Sequence, residues 1–407
     1  MRAKVFYGWN VVGAVSTMAF LSFGLGFYGI SVYVATLQRL HGWSASVVST
    51  PVTLYYVAGA LLTAAMANLY ERLGPRVVVL VAGTALAAGV AGLGRVTQPW
   101  QLYPTFLVMS VGWGAMSGAA INIILAPWWE RRRGLAVSLG FTGATLGGVV
   151  VAPLLIPLTE ALGFETALST AALVAFVTLV VVAAVLRRGP EERGLGPDGD
   201  PLRARPDRPP ARGERRWRGD ALRTWRFWSV SIPFALGLAA QVGVVTHLVA
   251  LVTPTLGIGG AARAVSVTTT AALIGRLATG LVVDRLNRRL VASATLVIQI
   301  VGLVLLASAP SPAGVYAGCA LFGLGVGNLT SLPGLILAVE WPRAHFSTLV
   351  GLVVGINQFT FAFGPSLVGL LRDRTGTYGL PLAACATLQA IAAVVVLTTP
   401  RARIRPE

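Results

Sequence analysis

Long apolar stretches constrain this chain more than any other feature of its sequence. Twelve of them follow one another along the 407 residues, each near the roughly 20 residues that a membrane-crossing helix needs. Because the apolar runs are continuous rather than alternating, they predict helices and not the strands of a barrel. Only 12% of the residues are charged, against about a quarter in soluble domains, so a soluble enzyme and a disordered chain are both excluded. The predicted spans are 9–37, 47–68, 77–93, 102–125, 135–158, 166–186, 227–252, 264–283, 290–309, 313–339, 346–371 and 379–397.

The positive charges predict the orientation of these spans. The net charge of +17 comes from 32 Lys and Arg against 15 Asp and Glu. Of these cations, 26 fall on the side of the N-terminus, five fall on the other side, and Arg276 lies inside a predicted span. By the positive-inside rule, we expect a multi-pass protein of the plasma (cytoplasmic or inner) membrane with both termini in the cytoplasm. The first stretch lacks a small-residue cleavage site, which predicts a retained helix rather than a removed signal peptide.

One long polar segment, residues 187–226, divides the chain. It holds twelve Arg, six Pro and six Gly, a composition that predicts a flexible cytoplasmic linker. In an alternative interpretation, its arginines hold anionic lipid headgroups. The predicted organisation is a six-helix half over 1–186, this linker, and a second six-helix half over 227–407 with a short cytoplasmic tail.

The two halves repeat each other at a constant offset of 213 residues. The segment 67–76 lines up with 280–289, and Trp128 lines up with Trp341. Three further pairs share the offset: Leu158 with Leu371, Glu160 with Asp373, and Gly163 with Gly376. Six spans in each copy make the repeats parallel, a pattern found in transporters. We therefore predict an all-α polytopic membrane protein with twelve transmembrane helices in two parallel six-helix repeats.

The loop after the second span of each half resembles the Gly-x-x-x-Asp-Arg-x-Gly-Arg-Arg signature of the major facilitator superfamily. The second copy matches it well, whereas the first has Ala67 and Glu71 at the Gly and Asp places. An acid at a helix end can pair with arginines and with a neighbouring helix N-terminus. The residues predicted to latch one conformation in this way are Glu71, Arg72, Arg76, Asp284, Arg285 and Arg289. A simple positive-inside turn is the alternative.

A second resemblance is narrower. The run from Trp128 to Ser138, WWERRRGLAVS, leads into Gly143 and Gly147, and it is similar to the fifth-helix signature of the monocarboxylate transporter family. Ser138 stands where that family usually has Gly. The bacterial oxalate/formate exchangers share much of this pattern. The resemblance implies the major facilitator fold and transport of a small organic monocarboxylate.

Arg276 is the strongest candidate for binding a substrate. It lies eight residues before Asp284, or about 12 Å along a helix, which predicts a position near the bilayer centre. A charge there is costly unless it is paired or faces a wet cavity, and no Asp or Glu falls well inside any predicted span. A substrate carboxylate is therefore the expected partner, and snorkelling to the surface is the alternative. The family resemblance agrees, because it implies a substrate-binding Arg in the eighth helix.

Other polar residues within the spans are further candidates for the substrate site. His247 can carry or relay a proton, because imidazole titrates near neutral pH, although a lone His on an apolar helix is commonly structural. Amides can bind a hydroxyl or keto group, and they can equally bond between helices. The remaining candidates are Tyr28, Asn122, Asn328, Asn357 and Gln358.

These observations favour a secondary transporter for a lactate- or pyruvate-like monocarboxylate, with proton symport as the expected coupling. An organic anion exchanger of the oxalate/formate kind, or an exporter on the same fold, is the alternative. A membrane enzyme or a sensor lacks support, since the sequence has no catalytic constellation and no added soluble domain. We expect no cofactor, no metal and no nucleic-acid partner. The expected partners are the organic anion, protons and membrane lipid, and the expected functional unit is a monomer.

Overall fold

The computed structural model describes residues 6–202, 221–283, 285–308, 311–341 and 346–398. Within these ranges the ordered secondary structure is helical, apart from one isolated β-bridge between Leu195 and Pro201. A π-helical turn, Gly24–Tyr28, joins the first two helices. The helices are α1 Gly8–Phe23, α2 Gly29–His41, α3 Ala45–Leu93, α4 Leu102–Met116, α5 Gly118–Leu125, α6 Arg133–Leu162, α7 Phe164–Val185, α8 Trp225–Val282, α9 Arg288–Ser308, α10 Pro312–Gly325, α11 Asn328–Glu340, α12 Phe346–Phe361, α13 Gly364–Thr375 and α14 Gly379–Val395.

The described helices account for the predicted spans. Nine helical segments are long and apolar enough to cross a membrane. Two of them, α3 with 49 residues and α8 with 58, are each long enough for two crossings and are broken inside, at Gly74 and Gly257. Dividing those two and adding the shorter apolar helix α14 gives twelve crossing segments among the described residues. The prediction of an all-α polytopic fold is confirmed.

The connections inside α3 and α8 are shorter than the sequence predicts. The stretches 69–76 and 253–263 are helical except at one residue each, Gly74 with φ 80° and Gly257 with φ 68°. A single glycine in this region of φ turns the chain sharply at little steric cost. Residues on either side stay helical because their own hydrogen bonds satisfy the backbone. As a consequence Arg263 lies in α8 rather than in a loop, and its side chain is exposed.

The chain forms two compact units. One comprises residues 1–207 and 245–266, and the other comprises 208–244 and 267–407. In the first unit, α1 packs on α6 through glycines. A Cβ added at Gly143 would lie 1.8 Å from the Ser16 carbonyl oxygen, and one at Gly147 would lie 2.3 Å from that of Phe20. The two backbones therefore approach closely, as small residues allow in membrane proteins.

The first part of the predicted linker is folded onto the first unit, so the prediction of a flexible segment is wrong for residues 187–202. Two short 3-10 helices, Pro190–Arg193 and Pro197–Gly199, shape it. The Asp198 carboxylate accepts the N–H groups of Glu130 and Arg131 at 3.0 and 2.9 Å. Helix α6 begins just beyond and has no side-chain cap of its own, so a carboxylate from the linker satisfies main-chain donors there. The predicted lipid contacts of residues 203–220 lie outside the described residues.

Buried amides run through the second unit. The Gln299 side chain donates to Gln241 at 3.2 Å and accepts from Gln389 at 2.7 Å, and all three are at most 2% exposed. These residues join α8, α9 and α14. A Cβ added at Gly325 would lie 2.2 Å from Nε2 of Gln299. The amide chain thus packs directly against the last residue of α10.

Candidate functional site

A helix break between α10 and α11 organises the candidate site in the second unit. Helix α10 ends at Gly325, Val326 is extended with ψ 128°, and Gly327 has φ 91°. Only glycine adopts such a φ readily. Helix α8 lies against this break, because a Cβ at Gly275 would be 1.9 Å from the Leu324 carbonyl oxygen. Breaks of this kind free main-chain groups to bind side chains or ligands.

Arg276 lies at this break. Its Nη2 donates to the Gly327 carbonyl at 3.4 Å, and a Cβ at Gly327 would lie 2.6 Å from the same nitrogen. The side chain is half-buried. Because α8 continues helically from Gly257 to Val282, Arg276 is six residues, or about 9 Å, from the end of the helix. That position is midway between the centre and the end of this helical segment, and so it is less central than the sequence predicts.

Asn328 follows the break and contacts the same face of α8. Its Nδ2 donates to Thr279 Oγ1 at 3.0 Å and to the Leu324 carbonyl at 3.1 Å. Thr279 lies three residues after Arg276 and therefore on the same helix face. The Oδ1 of Asn328 is buried and has no hydrogen-bond partner among the described residues. The structure therefore brings Arg276 and Asn328 together at one junction.

Asn357 and Gln358 lie on α12, in the last turns before its end at Phe361. Asn357 is buried, and within the described part of the chain its Oδ1 also lacks a hydrogen-bond partner. Gln358 is half-buried, and its main-chain carbonyl accepts from Ala362 at 3.3 Å. Both residues precede the turn into α13. Like Arg276, they belong to the second unit.

The other candidates belong to the first unit. His247 is 1% exposed and lies ten residues before the break at Gly257. Tyr28 ends the π-helical turn, where its ring meets Phe27 edge-on at 5.0 Å and packs on Gly148. Asn122 is exposed, and its amide donates to Gly118, four residues back on its own helix. That hydrogen bond within α5 gives Asn122 a local structural partner.

Arg289, one of the predicted latch residues, is the centre of a buried ion pair. It is 7% exposed and binds Glu340 through two parallel hydrogen bonds, Nε to Oε1 at 2.6 Å and Nη2 to Oε2 at 2.8 Å. Its remaining donors reach the Val396 carbonyl at 2.7 Å and Ser229. Arg226 adds a second cation, with Nε 3.8 Å from Oε2 of Glu340. The network ties α8, α9, α11 and the end of α14 together.

The first-half loop uses its predicted latch residues differently. The main-chain carbonyls of Glu71 and Arg72 accept from Arg188 at 3.3 and 2.9 Å, whereas both side chains are exposed. Arg76 donates from Nε to the Leu186 carbonyl at 2.7 Å. Pro127 stands 213 residues before Glu340, so the first half lacks the acid that Arg289 binds in the second.

Two latch predictions in the second half have different outcomes. Asp284 lies outside the described residues, so the acid of the signature is not placed. Arg285 follows α8 with an exposed side chain, and its main-chain N–H donates to Val282 at 3.0 Å.

Glu340, Thr279 and Asp198 carry contacts that the sequence analysis did not single out. Glu340 lies next to Trp341, which the repeat offset had marked, so the neighbourhood of a repeated residue offered a signal. Thr279 could be found at helical spacing from Arg276. Asp198 offered no signal, because nothing in the Pro- and Gly-rich segment indicates which of its carboxylates binds main-chain N–H groups just before α6.

Comparisons with known proteins give consistent results for the whole chain. The family described as Major Facilitator Superfamily matches residues 16–365 and 255–407. Monocarboxylate transporter 11 of Mus musculus is 28% identical over 426 residues, covering 97% of this chain and 88% of the relative. The oxalate:formate antiporter of Oxalobacter formigenes is 26% identical over 160 residues, covering 39% of this chain and 38% of the relative. Among solved structures, the nucleoside transporter NupG superposes with a TM-score of 0.72 at 14% identity, covering 95% of this chain and 98% of that one.

Proposed function

The chain belongs to the major facilitator superfamily and is a multi-pass membrane transporter rather than an enzyme; from that premise we propose that it moves a small organic monocarboxylate, lactate- or pyruvate-like, by alternating access. Its relatives include monocarboxylate transporters and an oxalate:formate antiporter. These sequence relatives support the anion class, and the site residues carry the remaining argument.

Arg276 is the observation that carries the proposal. It is the one cation inside a predicted span, and no Asp or Glu lies well inside any span. In the structure it contacts a main-chain carbonyl at a helix break, at 3.4 Å. A carbonyl offers one oxygen and no net charge, whereas the guanidinium fork matches both oxygens of a carboxylate. A substrate carboxylate bound there would engage the guanidinium through two parallel hydrogen bonds.

Proton symport is the coupling we propose. His247 is buried in an apolar helix, and a ring nitrogen of an imidazole can accept a proton and pass it on. A carboxylate substrate that enters protonated offers the second route, with no protein carboxylate involved. Uptake into proteoliposomes should therefore rise when the outside is acidified. An ionophore that collapses the proton gradient should remove this rise, and a rate that does not respond to either change would contradict symport.

Uptake measurements with Arg276 variants test the central assignment. Purified protein in proteoliposomes is given labelled lactate, and Arg276→Ala and Arg276→Lys are compared with the unchanged chain. Both should lose most of the uptake, because Lys keeps the charge but not the two-pronged geometry. Arg263→Gln is the matched control, since this arginine lies on the same helix and is exposed. Unchanged uptake in both Arg276 variants would refute the assignment.

Exchange of organic anions is a second candidate function. A similar relative is an oxalate:formate antiporter, and an anion site with no acid inside the predicted spans needs no proton to balance it. A comparison of preloaded with empty vesicles separates the two functions. Vesicles preloaded with unlabelled substrate and held without a proton gradient accumulate label under both mechanisms, but only an obligate exchanger fails to take up label into empty vesicles.

We further propose a position in the plasma (inner) membrane with both termini in the cytoplasm, in contact with lipid, and a monomeric functional unit. The excess of arginines on one side supports this orientation. The residues proposed to hold one conformation are the six predicted latch residues, Glu71, Arg72, Arg76, Asp284, Arg285 and Arg289. For Arg289 the support is its bidentate pairing with Glu340.

A further inference from the structure

We infer that Asn328 is a specificity-determining residue, which accepts a hydrogen bond from a substrate hydroxyl and so favours 2-hydroxy acids over their keto and unsubstituted analogues. The inference rests on the proposed function, because it assumes that a carboxylate binds at Arg276. It adds a second recognition element, next to that arginine, and names the chemistry that this element selects.

The chemistry of Asn328 fixes which way its amide points. Its amide nitrogen lies 3.1 Å from the Leu324 carbonyl and 3.0 Å from Thr279 Oγ1. A carbonyl only accepts, so the atom facing Leu324 must be Nδ2 and not Oδ1. The oxygen is therefore the atom left over. It is an acceptor only, which means that its missing partner must be a donor.

An unsatisfied acceptor in this position calls for an explanation. Asn328 is 2% exposed, and its Oδ1 has no hydrogen-bond partner in the described part of the chain. Buried polar atoms are nearly always hydrogen-bonded, to protein or to water, and each exception needs a specific cause. Leaving such an atom without a partner is costly. A purely structural Asn at this position would be expected to use both ends of its amide.

The neighbourhood of Asn328 points to a hydroxyl on the substrate that Arg276 binds. Arg276 bonds to Gly327 and Asn328 follows it directly, while Thr279 bonds to Asn328 from the same face of α8. In a 2-hydroxy acid the hydroxyl is bonded to the carbon next to the carboxylate. A carboxylate held at the guanidinium would therefore carry its hydroxyl at the junction to which both Gly327 and Asn328 belong.

The substrate class follows from donor and acceptor identities. A 2-hydroxy acid donates its hydroxyl hydrogen to Oδ1. A 2-keto acid presents an oxygen acceptor to an oxygen acceptor, and an unsubstituted acid presents a methylene group, so both leave Oδ1 unsatisfied. Sites built to bond a substrate hydroxyl discriminate strongly against analogues that lack it.

Access to this oxygen requires movement at the helix break. The atom is buried in this conformation, and the break at Gly327 is in direct contact with Arg276. The main chain is already interrupted there, between the end of α10 at Gly325 and the start of α11 at Asn328.

The test compares uptake of three labelled acids, 2-hydroxypropanoate, propanoate and 2-oxopropanoate, by purified full-length protein in proteoliposomes. The unchanged chain should prefer the hydroxy acid to each of the other two roughly tenfold, which is the size expected for one buried hydrogen bond. Asn328→Leu has a similar volume and lacks the acceptor, so the ratio of hydroxy-acid uptake to propanoate uptake should fall to about one. Asn328→Ala is a second variant with the same expectation.

Thr279→Val is the matched control. It removes a structural partner of the Asn328 amide but leaves Oδ1 in place, with Leu324 still fixing the orientation, so the tenfold preference should persist. The inference is overturned if Asn328→Leu leaves the preference intact, or if Thr279→Val removes it as completely as Asn328→Leu does. In either case uptake of the carboxylates by the unchanged chain still supports the proposed function. Absence of uptake of all three acids by the unchanged chain overturns the proposed function, and the inference with it.

Discussion

The buried pair between Arg289 and Glu340 allows a quantitative prediction about stability. Replacing Glu340 by Ala removes two hydrogen bonds, of 2.6 and 2.8 Å, from a guanidinium that is 7% exposed. Breaking a fully buried pair costs about 3–5 kcal/mol. Arg289 keeps the Val396 carbonyl and Ser229 as partners, and the Glu340 side chain is 20% exposed. We therefore expect Glu340→Ala to lower the free energy of unfolding by about 3 kcal/mol, at the low end of that range.

The reciprocal change should be milder. In Arg289→Met the Glu340 carboxylate retains Arg226, whose Nε lies 3.8 Å away, so about 2 kcal/mol is expected. Replacing both residues by apolar ones removes the uncompensated charge that each single change leaves. The double variant Arg289→Met with Glu340→Leu should therefore lose less free energy of unfolding than the sum of the losses in the two single variants. The difference is a coupling energy of about 2 kcal/mol.

The assay is a titration of the full-length protein from mild detergent micelles into sodium dodecyl sulfate, followed by tryptophan fluorescence. Each variant is measured with the unchanged chain under the same conditions. Single variants that unfold at the same detergent fraction as the unchanged chain would refute the argument. So would a double variant whose loss equals the sum of the two, because additivity means that the two side chains do not interact.

Four further predictions concern the linker and the glycine contacts. Asp198→Ala should speed hydrogen exchange at the amides of Glu130 and Arg131 by an amount equivalent to about 1–2 kcal/mol, and Asp198→Asn, which retains an acceptor, should have less than half the effect. Burial raises the pKa of the Asp198 carboxyl. Main-chain hydrogen bonds from Arg131, Glu130 and Arg132, together with the charge of Arg131, lower it by more, so the pKa is below the usual 3.8. Protection of these amides should thus be complete above that pH and be lost as the pH falls through the lower, folded-state value. Gly143→Ala should destabilise the protein by about 1–3 kcal/mol in the same detergent titration, because its Cβ would meet the Ser16 carbonyl at 1.8 Å; Gly134→Ala, which has open space around it, should not. Gly327→Ala should lower the affinity for carboxylates, measured by competition uptake. Gly376→Ala is the control, because Gly376 has φ 71° but no neighbour within 4 Å, and it should leave that affinity unchanged. Equal effects of the two substitutions would contradict a role for the Arg276 contact.

The sequence predicts the spans of this fold well, since the length of an apolar run can be read directly along the chain. It does worse at interruptions. The turns at Gly74 and Gly257 each occupy one residue, and the surrounding composition gives no sign that the helices resume at once. The break at Gly327 is a similar case. The Gly-x-x-x-Gly run from Gly323 to Gly327 predicts close helix packing, and Gly323 does pack against the Thr268 carbonyl. The same run gives no sign that a helix is interrupted at its second glycine.

The candidate site was predicted in part. Arg276 stands out because a charge in an apolar span needs a reason, and that reasoning uses the sequence alone. Its neighbours depend on which helices meet. Asn328 becomes informative only once its nitrogen is seen to bond to Thr279 and Leu324, which leaves the oxygen as the unpaired end. The partner of Arg289 depends in the same way on packing among α9, α11 and α14, and Arg289 and Glu340 are 51 residues apart.

Binding of a carboxylate at Arg276 is the central claim, and direct binding to purified protein measures it without assuming a direction of transport or a coupling ion. Thermal unfolding in detergent is followed while lactate is raised in steps, for the unchanged chain and for Arg276→Gln. A ligand that binds the folded state raises the unfolding temperature with its concentration. We predict a saturable rise for the unchanged chain and none for Arg276→Gln. An equal rise in both proteins would contradict the central claim.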